Sequence, residues 1–449
     1  MRYNSFFTKA CMLIISVGLT LLSCEDKPEF SISLHNLEFD SFYTDTVQID
    51  VYSNVKWVVS DTVNWLTIEP MEGKGNGTLN ILVSENPEFI ERTATIVVSG
   101  GGIKETIQIL QAPDYDVLPF IIDNGFRQYC LDTLDVNKDG VISTREARMV
   151  NRIVINAKQI YSLEGIEHFT RLTYLDCSAN LIENLDLSKN VRLELLYCGD
   201  NYLERLDLSK NSELIKAFCS YNPISYLDVS GLIKLNELEI FFAELENINV
   251  NSNTGLQDLA ISGNRISSLD LSSNNELRFL DCSRNLLSSI DVSHNTNLVS
   301  LYCNNNRLST LNLNYNTRLQ HLRCDNNMFT GSSLNVSSNT DLMQLGCSGN
   351  GLTSLNVSSN LKLERLWCDF NQLTTLDLTN NTKMNTLSCL NNNLTGTLDI
   401  SNIETLRNLV IDLRNNRLTT IHVPPGFIMF AENNNRIQKD ATANWVEKP

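Results

Sequence analysis

Nine cysteines recur between residues 177 and 389 at one position of a repeated phrase. Residues 301–303, LYC, return as residues 322–324, LRC, which is 21 residues later. Thiols at regular spacing could ligate a metal, form disulfides, or serve only as small apolar side chains. The nine positions are Cys177, Cys198, Cys219, Cys282, Cys303, Cys324, Cys347, Cys368 and Cys389.

Two equivalent positions of the phrase decide between these chemistries. They carry Ile240 and Ile261, so the position requires apolar volume rather than sulfur. Neighbouring turns of a regular repeat hold these side chains parallel, whereas a disulfide needs closer Cβ atoms and a near-perpendicular dihedral. Metal ligands converge on a point, whereas a ladder of thiols extends along an axis. The sequence therefore predicts reduced thiols buried in a core.

Oxygen-bearing residues alternate along residues 135–146, DVNKDGVISTRE. This segment is similar to the twelve-residue calcium loop of helix-loop-helix (EF-hand) proteins, with Gly140 at the sharp turn and Ile142 as the inward apolar residue. The alternative is a decayed loop that only turns the chain. The similarity implies calcium as a cofactor, in a structural role because a second loop is absent from the sequence, held by Asp135, Asn137, Asp139, the carbonyl of Val141, Ser143 and Glu146.

The elements that position these residues follow from the 21-residue period, which governs the chain from Leu172 onward. An asparagine follows each cysteine by three residues, and a second phrase, L-x-x-L-D-L-S-x-N, completes the repeat. The pattern resembles the leucine-rich repeat family in a short bacterial form. The resemblance implies a solenoid with one parallel sheet and an internal asparagine ladder. We expect a helical calcium cap over 118–170, repeats over 171–435 and a tail over 436–449.

Residues 30–113 alternate polar and apolar side chains between turns rich in glycine, which favours a β-sandwich. Trp57, residues 64–70 (NWLTIEP), Arg92 and residues 111–113 (QAP) resemble the BACON domain of Bacteroidetes surface proteins, a family suspected of carbohydrate or mucin association. Trp57 and Trp65 could pack in the core or form a sugar-stacking platform. The expected fold is multidomain, an immunoglobulin-like β-sandwich followed by the helical calcium-loop cap and the leucine-rich repeat solenoid.

The chain begins with Arg2 and Lys9 around an apolar run that is too short to span a bilayer, as in a secretory signal. Its end, LLSC, resembles the lipobox of bacterial lipoproteins, and the following EDK is similar to lipoprotein surface-export signals. The resemblance implies a signal peptide over 1–23, a lipidated Cys24 and a short linker over 24–29. We therefore expect a protein of the outer membrane, exposed at the cell surface and attached to the membrane by its lipid anchor.

One exposed column of the predicted sheet lies directly before the cysteine position and carries Tyr302, Arg323, Gly346 and Trp367. Aromatic residues and arginine are enriched at recognition surfaces. We expect the small Gly346 to leave a dip between Arg323 and Trp367. The alternative is that these are β-favouring residues on a solvated sheet. The predicted ligand-binding set is Tyr302, Arg323, Trp367, His321, Arg365, Asp325 and Asp369.

Charge and motifs restrict the function classes. A formal net charge of −17 argues against nucleic acid as a partner. None of the five histidines lies in a zinc-protease pattern, and neither G-x-S-x-G nor a phosphate-binding glycine loop occurs, so an enzyme is not expected. The sequence favours a surface adhesion or binding module for a glycan, a mucin or a protein. The alternative is a scaffold or accessory subunit of an outer-membrane assembly.

Overall fold

The structure is a computed structural model that describes residues 27–41, 46–60, 62–403, 410–432 and 434–448. The predicted signal peptide and Cys24 lie outside these residues. The chain divides into two compact units, Met1–Asp114 and Tyr115–Pro449. Within the described residues, we find no helix with the length and apolar character that crossing a membrane requires.

The first unit is a β-sandwich, as the alternating pattern predicted. One sheet has the order β1-β3-β7-β5 and the other β2-β9-β8-β4-β6. Buried residues alternate with exposed ones along β4 and β5, so each strand turns one side to the core between the sheets. The strands are β1 Phe30–Ile32, β2 Asn36–Phe39, β3 Thr46–Ser53, β4 Lys56–Ser60, β5 Leu66–Glu69, β6 Glu72–Lys74, β7 Gly77–Val83, β8 Arg92–Gly100 and β9 Ile103–Gln111.

The two tryptophans of this unit have packing roles. Trp57 is 2% exposed, and its Nε1 donates to the carbonyl of Gly75 at 2.9 Å. A Cβ on Gly73 would lie 2.1 Å from the Trp57 ring, so glycine is required there. Trp65 is partly buried beneath the guanidinium of Arg92, 4.4 Å from its ring. Trp57 is therefore a core residue, and the sugar-platform alternative is wrong for it.

The second unit begins with a helical segment and continues as a parallel β-solenoid. Asp123 caps the first helix by accepting a hydrogen bond from the Phe126 amide at 2.9 Å. The parallel sheet starts at Arg152, inside the segment predicted as cap, so the helical part is shorter than expected. The α-helices are α1 Asn124–Thr133, α2 Thr144–Met149 and α3 Phe427–Glu432, and 3₁₀ turns occur at Leu118–Phe120 and Ile166–His168.

One parallel sheet of 14 strands runs along the solenoid, and most of its strands are three residues long. Adjacent strands pair one repeat apart, for example Leu301 with Leu322. The middle residue of each triplet faces the core and its two neighbours face solvent. The strands are β10 Arg152–Val154, β11 Tyr174–Asp176, β12 Leu195–Tyr197, β13 Lys216–Phe218, β14 Glu237–Glu239, β15 Asp258–Ala260, β16 Phe279–Asp281, β17 Ser300–Tyr302, β18 His321–Arg323, β20 Gln344–Gly346, β22 Arg365–Trp367, β23 Thr386–Ser388, β25 Val410–Asp412 and β27 Ile437–Gln438.

Smaller parallel sheets form where the repeat is lengthened. The first pairs β19 Thr330–Gly331 with β21 Gly351–Leu352. The second joins β24 Thr395–Asp399, β26 Arg417–Val423 and β28 Asn444–Glu447. Strand β27 pairs with β25 in the 14-stranded sheet, and β28 pairs with β26 in the second small sheet. The segment predicted as a tail therefore belongs to the solenoid, and that prediction is wrong.

Two asparagine ladders line the interior. In the first ladder, the asparagine three residues after the cysteine forms hydrogen bonds with backbone groups of adjacent turns. Asn285, for example, donates to the carbonyls of Ile261 and Cys282 and accepts from the Ile266 amide. In the second ladder, Asn274 donates to the carbonyls of Val250 and Asn253. All nine repeat cysteines are buried and unpaired, as predicted.

Candidate functional site

The solvent-facing side of the 14-stranded sheet, called the sheet face below, consists of the first and third residues of each strand triplet. These side chains are mostly half-exposed, while the residue between them is buried. Because the core holds the middle residue of every turn, the outer residues can vary without disturbing the fold. The sheet face is therefore where side chains from successive turns can form a binding surface.

Arg323 and Trp367 form the centre of the predicted patch, although Gly346 leaves no dip between them. The Arg323 guanidinium lies over the Trp367 ring, 4.9 Å from its centroid. A Cβ on Gly346 would lie 2.3 Å from Arg323 Nε, which shows that the arginine crosses the backbone of Gly346. The glycine thus gives the arginine a path to the indole, and the expected dip is filled by the arginine itself.

The two aspartates of the patch are engaged within the protein. Asp325 is 5% exposed; its Oδ2 accepts from Arg323 Nε at 2.7 Å and its Oδ1 from the Ser348 amide at 2.9 Å. Asp369 Oδ1 accepts from Ser388 Oγ at 2.6 Å, and burial raises the pKa of this carboxyl. Within the predicted ligand-binding set, Asp325 therefore fixes the position of Arg323.

The other predicted residues lie on the same face. Tyr302 meets Phe279 edge to face, with ring centroids 5.5 Å apart. His321 Nδ1 lies 3.2 Å from Ser300 Oγ, and Arg365 is exposed. The structure therefore brings the predicted set together, with Phe279 as an additional aromatic member from the first position of its triplet.

A second aromatic group on the sheet face was not selected from the sequence. The Arg152 guanidinium lies 3.5 Å from the centroid of the Tyr174 ring. Tyr174 in turn contacts Tyr197, which stacks on Phe218 with centroids 4.5 Å apart and planes 6° apart. The sequence contains a signal for this group. Tyr174 comes directly before the core leucine of its strand and Tyr197 directly after the core leucine of the next strand, so both rings occupy outward positions. The predicted set covers residues 302–369 only, so it does not include these earlier turns.

Carboxylates separate the two aromatic groups. Glu237, Glu239 and Asp258 occupy neighbouring triplets, and Glu237 pairs with Lys216. Burial, followed by repulsion from Glu237, raises the pKa of Glu239 and of Asp258. The sheet face thus changes along the solenoid from aromatic to acidic and then to the Arg323–Trp367 pair.

The calcium-like loop has the turn chemistry expected of it. Asp135 accepts from the amides of Lys138 and Gly140 at 2.7 and 2.9 Å, and Gly140 has φ +80°. The Glu146 carboxylate accepts from the amides of Val136 and Ser143 at 3.1 and 3.0 Å, which joins the two ends of the loop.

These residues fit calcium in the type and order of their oxygen donors. In the described part of the chain, we find no group of three or more His, Cys, Asp or Glu side chains that could hold a metal ion. The eighth residue of the loop, Ile142, links the loop to the segment before the first helix. Its carbonyl accepts a hydrogen bond from the Val117 amide at 2.8 Å. Calcium binding by Asp135, Asn137, Asp139, Val141, Ser143 and Glu146 therefore stays a prediction.

Comparison with known proteins agrees with this architecture. Residues 55–112 match the BACON family, described as "Putative binding domain, N-terminal". The N-terminal unit carries a BACON domain. A leucine-rich repeat solenoid follows it. The solved internalin InlF of Listeria monocytogenes is 22% identical, with 66% of this chain and 97% of that one covered and a TM-score of 0.56.

Two further similarities were found. The functional domain of InlJ from Listeria monocytogenes, which includes a cysteine ladder, is 27% identical over 70% of this chain and 82% of its own, with a TM-score of 0.44. A xyloglucan-specific endo-β-1,4-glucanase of Bacteroides ovatus, BoGH5A, is 29% identical over 120 residues. The chain spans about a quarter of the length of this curated relative, and the match covers 24% of the chain.

Proposed function

We propose that this protein is a non-catalytic binding protein whose sheet face captures a glycan, a mucin or a protein ligand. The observation that carries the proposal is the arrangement of Arg323, Trp367 and Asp325. A buried carboxylate holds the guanidinium in place across a glycine, so that a flat cation and an indole present one surface to solvent. A fixed arginine loses little side-chain entropy when it binds, which favours affinity.

The neighbouring side chains extend this surface to a size useful for recognition. Tyr302 and Phe279 lie on adjacent strands of the sheet face, and His321 follows on the next strand. Aromatic rings bind the apolar faces of sugars or peptide side chains, while arginine and histidine supply hydrogen-bond donors. The presence of a BACON domain in the same chain supports the assignment to a binding module.

The proposed location is the outer membrane, with the protein exposed at the cell surface. It rests on the N-terminal sequence, where LLSC ends at Cys24 and is followed by EDK. In this proposal Cys24 is lipidated, and the acyl chains alone hold the protein on the membrane. Metabolic labelling with a fatty-acid analogue tests it, since labelling should be lost in Cys24→Ala.

Calcium is proposed to stabilise the loop at the start of the repeat unit. Its ligands would be the side chains of Asp135, Asn137, Asp139, Ser143 and Glu146 with the carbonyl of Val141. When bound, the ion would neutralise the loop carboxylates and link the two ends of the loop. The attachment of Ile142 to Val117 would transmit this stabilisation to the first turns of the solenoid.

The binding proposal is tested with Trp367→Ala on a glycan array and on immobilised mucin. Removing the indole should weaken binding by roughly one to two decades, because it removes both a contact surface and the support beneath Arg323. Tyr315→Ala is the matched control, since Tyr315 is 58% exposed and lies outside the sheet strands. Equal binding by both variants and the parent protein would exclude the sheet face. Binding only to proteins of the bacterial envelope would support the scaffold alternative.

A further inference from the structure

The loops that follow β12, β13 and β14 carry a group of exposed aromatic side chains, separate from the sheet face. Tyr202, Tyr221 and Phe242 are 57%, 53% and 47% exposed. Together with Pro223 and Ala243 they line a surface pocket of about 490 Å³. We call this the edge pocket; its remaining lining residues are Asn180, Asp200, Asn201, Asn222 and Glu244.

Tyr221 and Phe242 occupy backbone positions that disfavour bulky side chains. Their φ angles are +57° and +52°, in the left-handed region that glycine and asparagine adopt most easily. At the same position of other turns the chain has the small residues Gly263, Asn305 and Asn326, and also the bulky Arg284 and Phe370. Folding does not require rings at these positions, since smaller residues adopt the same backbone elsewhere in the solenoid.

The two rings form a stack that is open at one end. The Tyr221 and Phe242 ring centroids are 5.3 Å apart and their planes differ by 12°. On the far side of Phe242, a Cβ on Gly263 would lie 2.7 Å from the ring, so that side is closed by the next turn. On the other side of Tyr221, the preceding turn has Asp200 at the equivalent position, which adds a carboxylate in place of a third ring.

The spacing of the turns suits a flat ring at this open end. Adjacent strands of a sheet lie about 4.8 Å apart, and each turn therefore advances by nearly one stacking distance. A ring-shaped ligand beside Asp200 would continue the stack on the exposed face of Tyr221.

The polar groups of the edge pocket select among ligands. Asn201 and Asn222 belong to the first ladder. Their side-chain oxygens accept hydrogen bonds from the amides of Ile182 and Leu203, respectively. The carboxylates available from the lining are those of Asp200 and Glu244, and Glu244 lies 3.5 Å from Arg265. Carboxylates accept hydrogen bonds from hydroxyls and repel anions.

The ladder is also interrupted at this pocket. Ala243 stands where neighbouring turns have Asn222 and Asn264, so a short side chain replaces a ladder asparagine at the pocket wall. The Ile224 amide therefore lacks the side-chain acceptor that Asn222 provides for Leu203.

We propose that the edge pocket is a binding site for a neutral glycan, with a pyranose ring stacked on Tyr221 and its hydroxyls donating to Asp200. A pyranose has an apolar C–H face that matches an aromatic plane and hydroxyls that match a carboxylate. A cationic peptide is the competing ligand class. It is disfavoured because the rings are nearly parallel and do not surround a cation, and because Arg265 already pairs with Glu244.

The experiment measures binding of the purified protein to cellohexaose, mannohexaose, galactohexaose and a xyloglucan heptasaccharide by calorimetry and by saturation-transfer NMR. Hexa-galacturonate and hexalysine are the anionic and cationic probes. At least one neutral oligosaccharide should bind, and hexa-galacturonate should bind more weakly. Tyr221→Ala should lower the affinity roughly tenfold or more, because it removes the stacking surface, and Asp200→Ala should also lower it.

Both variants are expected to fold, because Ala179 adopts φ +54° at the same position of an earlier turn. Tyr226→Ala is the matched control, since Tyr226 is 64% exposed, belongs to the same turn and does not line the pocket. Trp367→Ala should leave this binding unchanged, so the edge pocket and the sheet face are tested independently. The proposal is overturned if none of the four neutral oligosaccharides binds, if binding survives Tyr221→Ala, or if hexalysine binds more tightly.

Discussion

The two asparagine ladders should differ in their contribution to stability, although both are buried and regular. Asn285 and Asn274 provide a matched pair, because they lie in adjacent segments of the same part of the solenoid. The substitution to alanine is the same at both sites and leaves a similar cavity. The difference between the two variants therefore isolates the hydrogen bonds of each side chain.

At Asn285 the side chain satisfies groups on three sides. Its Oδ1 is the acceptor for the Ile266 amide at 3.0 Å, and its Nδ2 donates to the carbonyls of Ile261 and Cys282 at 2.9 and 3.1 Å. Those carbonyls keep other donors, Asn264 for Ile261 and Asn306 for Cys282. Asn285→Ala therefore leaves the buried Ile266 amide without its acceptor and removes both Nδ2 donors, whose two hydrogens are shared among the carbonyls of Ile261, Cys282 and Ser283.

At Asn274 the backbone is satisfied without the side chain. The carbonyls of Val250 and Asn253 also accept from the amides of Asn253 and Leu256, at 2.9 and 3.0 Å. The Oδ1 of Asn274 is buried without a hydrogen-bond partner. Asn274→Ala thus removes two hydrogen bonds, leaves no backbone group unpaired, and eliminates one unsatisfied oxygen.

The hydrogen bonds lost in the two variants predict different decreases in the free energy of unfolding. An orphaned buried amide costs about 1–3 kcal/mol and each lost hydrogen bond about 1 kcal/mol, so Asn285→Ala should destabilise by roughly 3–5 kcal/mol. Removing the unpaired oxygen offsets part of the loss in Asn274→Ala, for which we expect about 1–2 kcal/mol. Urea unfolding followed by circular dichroism measures both, with the slope checked for equality between variants. An equal or larger loss for Asn274→Ala would refute the reasoning.

Three further predictions concern the loop, the thiols and the sheet face. Millimolar calcium should raise the melting temperature of the parent protein more than magnesium does, by mass action on the folded state, and should not do so in Glu146→Ala; an identical response of both proteins would contradict the proposed site. Burial raises the pKa of the Cys303 thiol to about 12, so at pH 8 iodoacetamide should leave the repeat cysteines unmodified until urea unfolds the solenoid. Rapid modification of the native protein, detected by mass spectrometry, would show that they are accessible. Gly346→Ala should displace Arg323 from Trp367, because the new Cβ would clash with Arg323 Nε. The uncovered indole should then shift tryptophan emission to longer wavelength. If Gly346→Ala causes the same shift in a protein that also carries Trp367→Phe, Trp367 is not its source.

Features that repeat along the chain could be predicted from the sequence. The 21-residue period fixed the strand that contains Leu301, the burial of Cys303 and the ladder role of Asn306, because each depends on the same neighbours one turn away. The sandwich followed from polar and apolar alternation in the same way. Such features are local or periodic, and a single sequence contains them in full.

Features that depend on one side chain crossing a turn were not predicted. Nothing in the residue types shows that Arg323 passes over Gly346 rather than extending into solvent, or that Asp325 turns inward to hold it. The phrase L-x-x-L-D-L-S-x-N does not by itself show that Asn274, at its last position, forms a second ladder. The side sheets at Thr330 and Thr395 were missed because a lengthened repeat indicates a register change without showing how the added residues pair.

The repeat also explains where new binding functions can arise in this chain. Core leucines, cysteines and ladder asparagines are fixed by packing and by backbone hydrogen bonds, so a turn can vary freely at the outer triplet positions and at the left-handed residue of its loop. A bulky residue at the left-handed position costs about 1–2 kcal/mol relative to its ordinary backbone conformation. Tyr221 and Phe242 bear that cost in adjacent turns and recover part of it by stacking on each other, which is worth about 0.5–1.5 kcal/mol. Arg284 and Phe370 bear the same cost singly, whereas Tyr221 and Phe242 lie in adjacent turns and together form a stacked surface, which is the arrangement that a ring-shaped ligand requires.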